Sequence, residues 1–480
     1  MAYRIYPTQK RLWVLLAALL LAAWGCTHER VDLKQARPQL PERFAGQQSQ
    51  DNTITAPDRW WESFNDPALD KLVSQALTEN LDMGQAWARM KQVQALAVQQ
   101  GSAAWPQVNG TLNASRNRQV NPFTGDGLIN NNFAASVAVS YELDLWGRIG
   151  ALDEAALLDM QASRGDLETV AMTITAQVAD LWYGIVEQRA LLDLVQSQVE
   201  INEQLLELVE LRFGQGLVGA LDVYQQRQQV LASKSQIPLI ESRIQLQAHQ
   251  MALVLGKPAG SISLPETRLL PELPPVPSTG VPSELLRRRP DLRAAELRMI
   301  SADRRVEAAI ADRYPSIRLT GSTGYQATDL GDLIDQWIWS MASSLTLPLL
   351  DGERRAAEVE RQEAILQERL LQYGKTTLTA FKEVEDALVS EQKQREFLTV
   401  SESQLTVSRD SLREAQARYL QGLSDFLPVL TALRSVQQAE QSVLSARRQL
   451  VSQRIQLYRA LGGDWTGELR APDTKNKEER

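Results

Sequence analysis

The chain is written twice, and that constrains every other reading of it. Leu211–Val223 is LRFGQGLVGALDV and Ala417–Val429 is ARYLQGLSDFLPV. In each, a basic residue (Arg212, Arg418) precedes an aromatic (Phe213, Tyr419), and Gly-Leu follows (Gly216-Leu217, Gly422-Leu423). Trp105-Pro106 returns as Tyr314-Pro315, and Leu255-Gly256 as Leu461-Gly462, at an offset of about 206 to 209 positions. A length of 480 residues alone suggests about three domains; the duplication argues for one body with two similar halves. Both motifs lie between long helical patterns. Each is expected to be a tight turn where one long helix doubles back on another, its glycine supplying the left-handed backbone that ends a helix.

The N-terminus carries an export signal. Arg4, Lys10 and Arg11 precede an apolar run, Leu12–Trp24. At about 13 residues the run is too short to span a bilayer as a helix and suits a signal core. Gly25 then precedes Cys26, the only cysteine, so residues 1–25 read as a signal peptide similar to those of bacterial lipoproteins, with Cys26 as the lipidated first residue. Thr27, rather than Asp, follows it, which in such lipoproteins directs sorting to the outer membrane. Residues 26–57 read as a polar, lipidated tether with Pro38 and Pro41. One cysteine and two histidines, His28 and His249, leave no intrachain disulfide and no Cys/His metal site. The net charge of −8, with Lys and Arg scattered, gives no sign of nucleic-acid binding.

Repeat 1 covers 58–256. Leu69, Leu72, Val73, Ala76 and Leu77 recur at helical spacing, as do Met83, Ala86, Trp87 and Met90, with a break at Asn80–Asp82. The opening WWESFNDP at Trp60–Pro67, together with LLRRRPDLRAAE at Leu285–Glu296, resembles the TolC-like outer membrane efflux factor family in its lipoprotein (NodT-type) branch. The resemblance covers roughly residues 58–465, nearly the whole mature chain.

From Gln107 the period becomes two. Val108, Gly110, Leu112 and Ala114 oppose Asn109, Thr111, Asn113 and Ser115; Phe133, Ala135, Val137, Val139 and Tyr141 oppose Ala134, Ser136, Ala138 and Ser140. Strands are expected over about 107–118 and 133–144 around the turn-rich NPFTGDGLINNN. One apolar and one small, polar face fit a barrel strand with lipid outside and water inside. A hairpin half-buried on a soluble core alternates in the same way. A proline-free helix follows over about 147–213, roughly 100 Å at 1.5 Å per residue. Leu194, Ile201, Leu205 and Leu208 make one apolar seam; Leu191, Val195, Asn202, Leu206, Val209 and Phe213 make a second, offset one. Two stripes mean neighbours on two sides, as in a wall of coiled-coil helices. After a tip at 214–220 the return helix, about 221–255, should break at Pro238. A Pro-rich linker, 257–282, joins the halves.

Repeat 2, 283–465, follows the same plan: strands about 316–325 and 337–347, a long helix about 353–420, a tip at 421–425, a return helix about 426–461 and a charged tail, 466–480. Trp337 and Trp339 suit an interfacial aromatic girdle. The fold class expected is mainly α with a β-barrel part, in two internal repeats of antiparallel coiled-coil helices and a β-hairpin. Four strands cannot close a barrel. Eight, from two chains, leave an interior filled by side chains, whereas twelve, from three, leave an aqueous lumen. A homotrimer with a twelve-stranded outer-membrane barrel on a twelve-helix periplasmic tunnel is therefore expected, and the resemblance implies the same.

No nucleophile elbow, phosphate loop, HExxH or Cys cluster is present, so no enzyme, cofactor or metal is expected. Charges such as Glu353, Arg354, Glu358, Arg361 and Glu363 read as solvated helix surface. The candidate sites are mechanical. The resemblance implies that the tips (Gly216, Leu217, Gly219, Gly422, Leu423, Ser424) dock a periplasmic adaptor protein and form a closed iris. It implies a gate in which Asp222 pairs with Tyr419, with Arg212, Arg418, Asp425 and Thr431 as further members. Ser424 stands near the position of the family's arginine, and Thr431 replaces a ring aspartate. The function implied is the exit duct of a tripartite pump, a passive lipoprotein channel serving multidrug resistance: palmitate-anchored in the outer membrane of a Gram-negative bacterium, contacting its lipid, and fed through the adaptor by an inner-membrane, proton-driven transporter. A type I protein secretion duct and a periplasmic coiled-coil scaffold are the alternatives.

Overall fold

The computed structural model describes residues 41–46 and 57–471, apart from 121, 124, 263–266 and 268. The export signal, Cys26, most of the tether and the end of the charged tail lie outside the described residues. Helices α1 (Pro67–Glu79) and α2 (Leu81–Gly101) lead to strands β1 (Gln107–Val120) and β2 (Gly127–Leu143). Helix α3 (Arg148–Gly214) then turns into α4 (Ala220–Lys234) and α5 (Ile237–Val254). The second half runs α6 (Leu285–Arg288), α7 (Pro290–Ala311), β3 (Ser316–Ala327), β4 (Trp337–Thr346), α8 (Arg354–Leu420) and α9 (Phe426–Leu461). The duplication holds at the level of length: α3 and α8 are 67 residues each. No helix among the described residues is long and apolar enough to cross a membrane.

Two compact units are present. One comprises 93–161 and 296–374; the other holds the remaining described residues. The first contains a four-stranded antiparallel sheet in the order β1-β2-β3-β4. Strand β2 starts at Gly127, so part of the segment expected as loop is ladder, with Gly127 opposite Val120. The asparagines at 130–132 disfavour a strand by propensity, but β1 supplies a partner for every one of them.

The second unit holds the main core. Phe64 and Tyr458 lie edge to face, Trp60 stacks on Tyr458 at 5.5 Å, and Trp61 meets Trp465 edge-on. The WWESFNDP opening is thus a core plug. Its Asp66 caps α1 by accepting from the Ala68 and Leu69 N–H groups and also accepts from Trp182 Nε1 at 2.7 Å. The described part of the tether docks on the core: Phe44 is buried and stacks on Phe381, and the Ala45 N–H donates to Glu385.

The two halves close in the same way. Gly256 (φ +67°) and Gly462 (φ +75°) end the return helices. A Cβ on Gly256 would sit 2.4 Å from the Glu79 carbonyl oxygen, and one on Gly462 would sit 2.7 Å from that of Arg288. Beside them, Asn80 Nδ2 donates to the Val254 carbonyl at 2.7 Å and Arg289 Nη1 donates to that of Ala460 at 3.2 Å. Each half therefore uses the polar residue at its short-helix break to satisfy a carbonyl in the last turn of its return helix.

Candidate functional site

Two places carry function: the sheet in one unit and the helical turns in the other. In the sheet, register decides what the faces mean. Val108 opposes Val139, Leu112 opposes Ala135 and Ala114 opposes Phe133. Across the next ladder Ala135 opposes Tyr325 and Tyr141 opposes Leu319; across the last, Tyr325 opposes Trp337 and Ile317 opposes Leu345. Apart from Leu128 and Ile338, the large apolar positions of all four strands therefore fall on one face. Asn109, Thr111, Ser136, Ser140, Thr320, Ser322, Ser340 and Ser344 fall on the other, where Ser322 and Ser340 hydroxyls hydrogen-bond at 2.8 Å. The apolar face is bare: Leu112, Trp337, Trp339 and Met341 are exposed. Within the chain β1 and β4 are each paired on one side only. Gly324 is a steric requirement, since a Cβ there would lie 2.2 Å from the Ala135 carbonyl oxygen.

The two tips share one geometry. Gly216 has φ +71° and Gly422 φ +73°. The Gly216 N–H donates to Phe213 O and the Leu217 N–H to Arg212 O; Gly422 and Leu423 donate to Tyr419 O and Arg418 O in the same pattern. These are paired Schellman closures. Such closures usually tuck the following residue against the helix, yet Leu217 is 61% and Leu423 65% exposed. Gly219 is the N-cap of α4 and Asp425 that of α9, and neither makes a side-chain cap. Arg418 and Thr431 are exposed, and the Thr431 hydroxyl donates back to Leu427 O.

Between the turns Val209, Val223, Tyr419, Phe426, Val429 and Leu430 form a small core. Tyr419 is buried there against Phe426, and the Arg212 guanidinium lies over its ring at 4.5 Å from the centroid. The Tyr419 hydroxyl has no hydrogen-bond partner. The Asp222–Tyr419 hydrogen bond implied by the family resemblance is therefore not made within the chain. The reason is packing: the ring turns into the apolar cluster, and Arg212 satisfies its face rather than its oxygen. Asp222 is close enough to act through its charge. Burial pushes the Tyr419 phenol up, Asp222 adds to that shift, and Arg212 only partly opposes it. Asp222 itself sits in the first turn of α4, where a carboxylate is favoured by the helix dipole. The Ser424 hydroxyl and Arg212 Nε are buried without partners.

Farther along the helices lies a group that periodicity did not reveal as a unit. Gln226 Nε2 donates to Asn202 O, Asn202 Nδ2 to Ser233 Oγ, Gln437 Nε2 to Asn202 Oδ1 and Gln229 Nε2 to Gln437 Oε1. This buried amide seam fixes the register of α3, α4 and α9 beside the break that Pro238 imposes between α4 and α5. Amides in an apolar stripe were the available signal, and Asn202 falls in one.

With this geometry in place, the chain can be assigned: it belongs to the outer membrane efflux protein family, whose sequence pattern matches residues 72–257 and 281–463. Among individual relatives, it is 31% identical to the pyoverdine export outer membrane protein OpmQ of Pseudomonas aeruginosa, over 96% of this chain and 98% of that one. It is 30% identical to the toluene efflux pump outer membrane protein TtgF of Pseudomonas putida, over 90% of each chain. The solved outer-membrane channel OprN superposes with a TM-score of 0.84 at 27% identity, covering 90% of this chain and 99% of that one.

Proposed function

We propose that this protein is the outer-membrane exit channel of a tripartite efflux pump, through which small toxic compounds leave the cell. The observation that carries the reading is the sheet: four strands in register, apolar on one face and hydroxyl-rich on the other, with two edges that one chain leaves unpaired. A long edge left bare is a template for pairing with another chain. Three copies give twelve strands, which is wide enough for a water-filled bore lined by the Ser/Thr/Asn face. Nothing in this reading requires catalysis. The functions of the relatives, pyoverdine export and toluene efflux, favour small-molecule cargo over protein secretion.

In this reading Gly216, Leu217, Gly219, Gly422, Leu423 and Ser424 present two exposed leucines to a periplasmic adaptor, and an inner-membrane transporter supplies the energy. The gate is held by Arg212 on the Tyr419 ring with Asp222 alongside; Arg418, Asp425 and Thr431 complete its rim. Cys26 carries the lipid anchor.

The test has three parts. The full-length protein should be extracted from outer membranes as a heat-modifiable trimer that conducts ions in planar bilayers. A monomer confined to the soluble periplasmic fraction would refute the channel. Arg212→Met with Asp222→Ala should raise single-channel conductance, and unchanged conductance would reduce those residues to packing. Labelled palmitate should enter the wild type and not Cys26→Ser.

A further inference from the structure

Beyond its aromatic edge the apolar face of the sheet carries two arginines on β1, with Asn131 and Ile129 opposite them and Val120 last on the strand. On β1 the positions that share a face with Val108, Leu112 and Ala114 continue, at period two, to Arg116 and Arg118. Arg116 lies opposite Asn131 and Arg118 opposite Ile129. Both arginines are exposed, and among the described residues neither guanidinium is taken up by a salt bridge. The Arg118 side chain leans toward the hairpin end: a Cβ on Gly127 would lie 2.4 Å from its Nε, so the glycine leaves the space it occupies.

Their height can be placed against the band. On β2 the apolar face runs from Phe133 to Leu143, roughly 33 Å along the strand, or about 25 Å across the membrane at a tilt near 40°. That is the height of the apolar belt of a barrel. Phe133, Tyr325 and Trp337 lie at or beside its upper edge, where an aromatic girdle belongs. The backbones of Arg116 and Arg118 then stand about 5 Å and about 10 Å beyond that edge, within and just past a headgroup layer of roughly 5 to 8 Å. The hairpin end is the outer one if the helices are periplasmic, so these cations face the outer leaflet, whose glycolipid is rich in phosphate.

We propose that Arg116 and Arg118, with Gly127 as the cradle for the second, form a docking site for the phosphate groups of an outer-leaflet anionic lipid on the outward face of the β1–β2 hairpin. The proposal rests on the reading of the sheet as barrel wall and adds a specific lipid partner to it. Guanidinium is the suitable group, since it binds phosphate oxygens bidentately while its stem lies on apolar surface.

The experiment titrates the full-length protein, purified from outer membranes in a neutral detergent, with bisphosphorylated lipid A and separately with phosphatidylethanolamine, and counts bound lipid by native mass spectrometry. Arg116→Gln or Arg118→Gln should weaken lipid A binding about fivefold, and the two together about thirtyfold. Phosphatidylethanolamine binding should not change. Arg116→Lys with Arg118→Lys should lose less than the Gln pair. Adding Asn117→Arg and Gln119→Arg to the Gln pair restores the charge on the opposite face and should not restore binding. Equal lipid A affinity in the wild type and the Gln pair, or rescue from the opposite face, overturns the site while leaving the channel intact. A wild-type protein absent from the membrane fraction overturns the channel reading, and the site with it.

Discussion

The two halves of this chain share a backbone plan, and at one buried pair of positions their chemistry is opposite. Aligning Gly216 with Gly422 places Ile185 and Ala248 of the first half against Glu391 and Arg454 of the second. Ile185 and Ala248 are buried apolar residues. Glu391 and Arg454 are an ion pair, 2% and 0% exposed, with Arg454 Nη2 donating to Glu391 Oε1 at 2.6 Å. The difference follows from something present only once, the linker. Arg454 Nη1 also donates to the Pro274 and Pro275 carbonyls at 2.7 and 3.2 Å. A proline-rich segment offers acceptors and few donors, so it cannot satisfy itself. The half of the chain that receives the linker holds it with a buried cation, and Glu391 neutralises that cation.

The largest expected effect tests that account directly. Arg454→Met strands the Glu391 carboxylate, which then keeps only the half-exposed Arg395, whose Nη2 donates to it at 3.0 Å. Loss of one member of a buried pair costs about 3 to 5 kcal/mol. A lowered unfolding midpoint in detergent is the measurement. Glu391→Ile with Arg454→Met restores the apolar state of the first half and should recover most of the loss. Limited proteolysis should still cut the linker faster in both variants, because its carbonyls have lost their donor. A double variant as unstable as the single one would break the comparison.

The next effect sharpens what the halves have in common. Gly256→Ala and Gly462→Ala each place a side chain in left-handed backbone and against a neighbouring carbonyl. Each should cost about 2 to 3 kcal/mol, and the two midpoints should fall by similar amounts. If one substitution is neutral while the other is not, the closures are not equivalent.

How much of this was legible depended on whether the signal was local. The turns at Gly216 and Gly422, the break before Pro238 and the ends of α9 follow from residues within a turn of the event. The faces of the strands follow from a period of two, and register then aligned them. The start of β2 did not, because Asn-rich sequence pairs there only on account of what β1 offers. Charge was legible on the surface: Glu358 and Arg361 lie on the solvated face of α8, where they also pair with each other. It was illegible in the core, where Arg454 and Glu391 lie 63 residues apart and neither position marks itself as buried. The gate candidates divide in the same way. The turn itself was readable from its glycine, whereas the stacking of Arg212 on Tyr419 depends on how two helices pack.

The smallest effects separate the two tips. The equivalent aromatics differ in surroundings: Phe213 is 47% exposed and Tyr419 is 4% exposed. Arg212 lies on the buried ring, so Arg212→Met removes a cation–π contact and should lower the unfolding midpoint by the equivalent of about 1 kcal/mol. Tyr419→Phe keeps the ring and removes a hydroxyl that has no partner. It should change stability by less than about 0.5 kcal/mol and leave conductance as it is. A hydroxyl that held the tip shut through Asp222 gives the opposite order: Tyr419→Phe would open the channel and Arg212→Met would not. Measuring conductance for the two single variants side by side therefore decides whether the ring or its oxygen latches the second tip to the first.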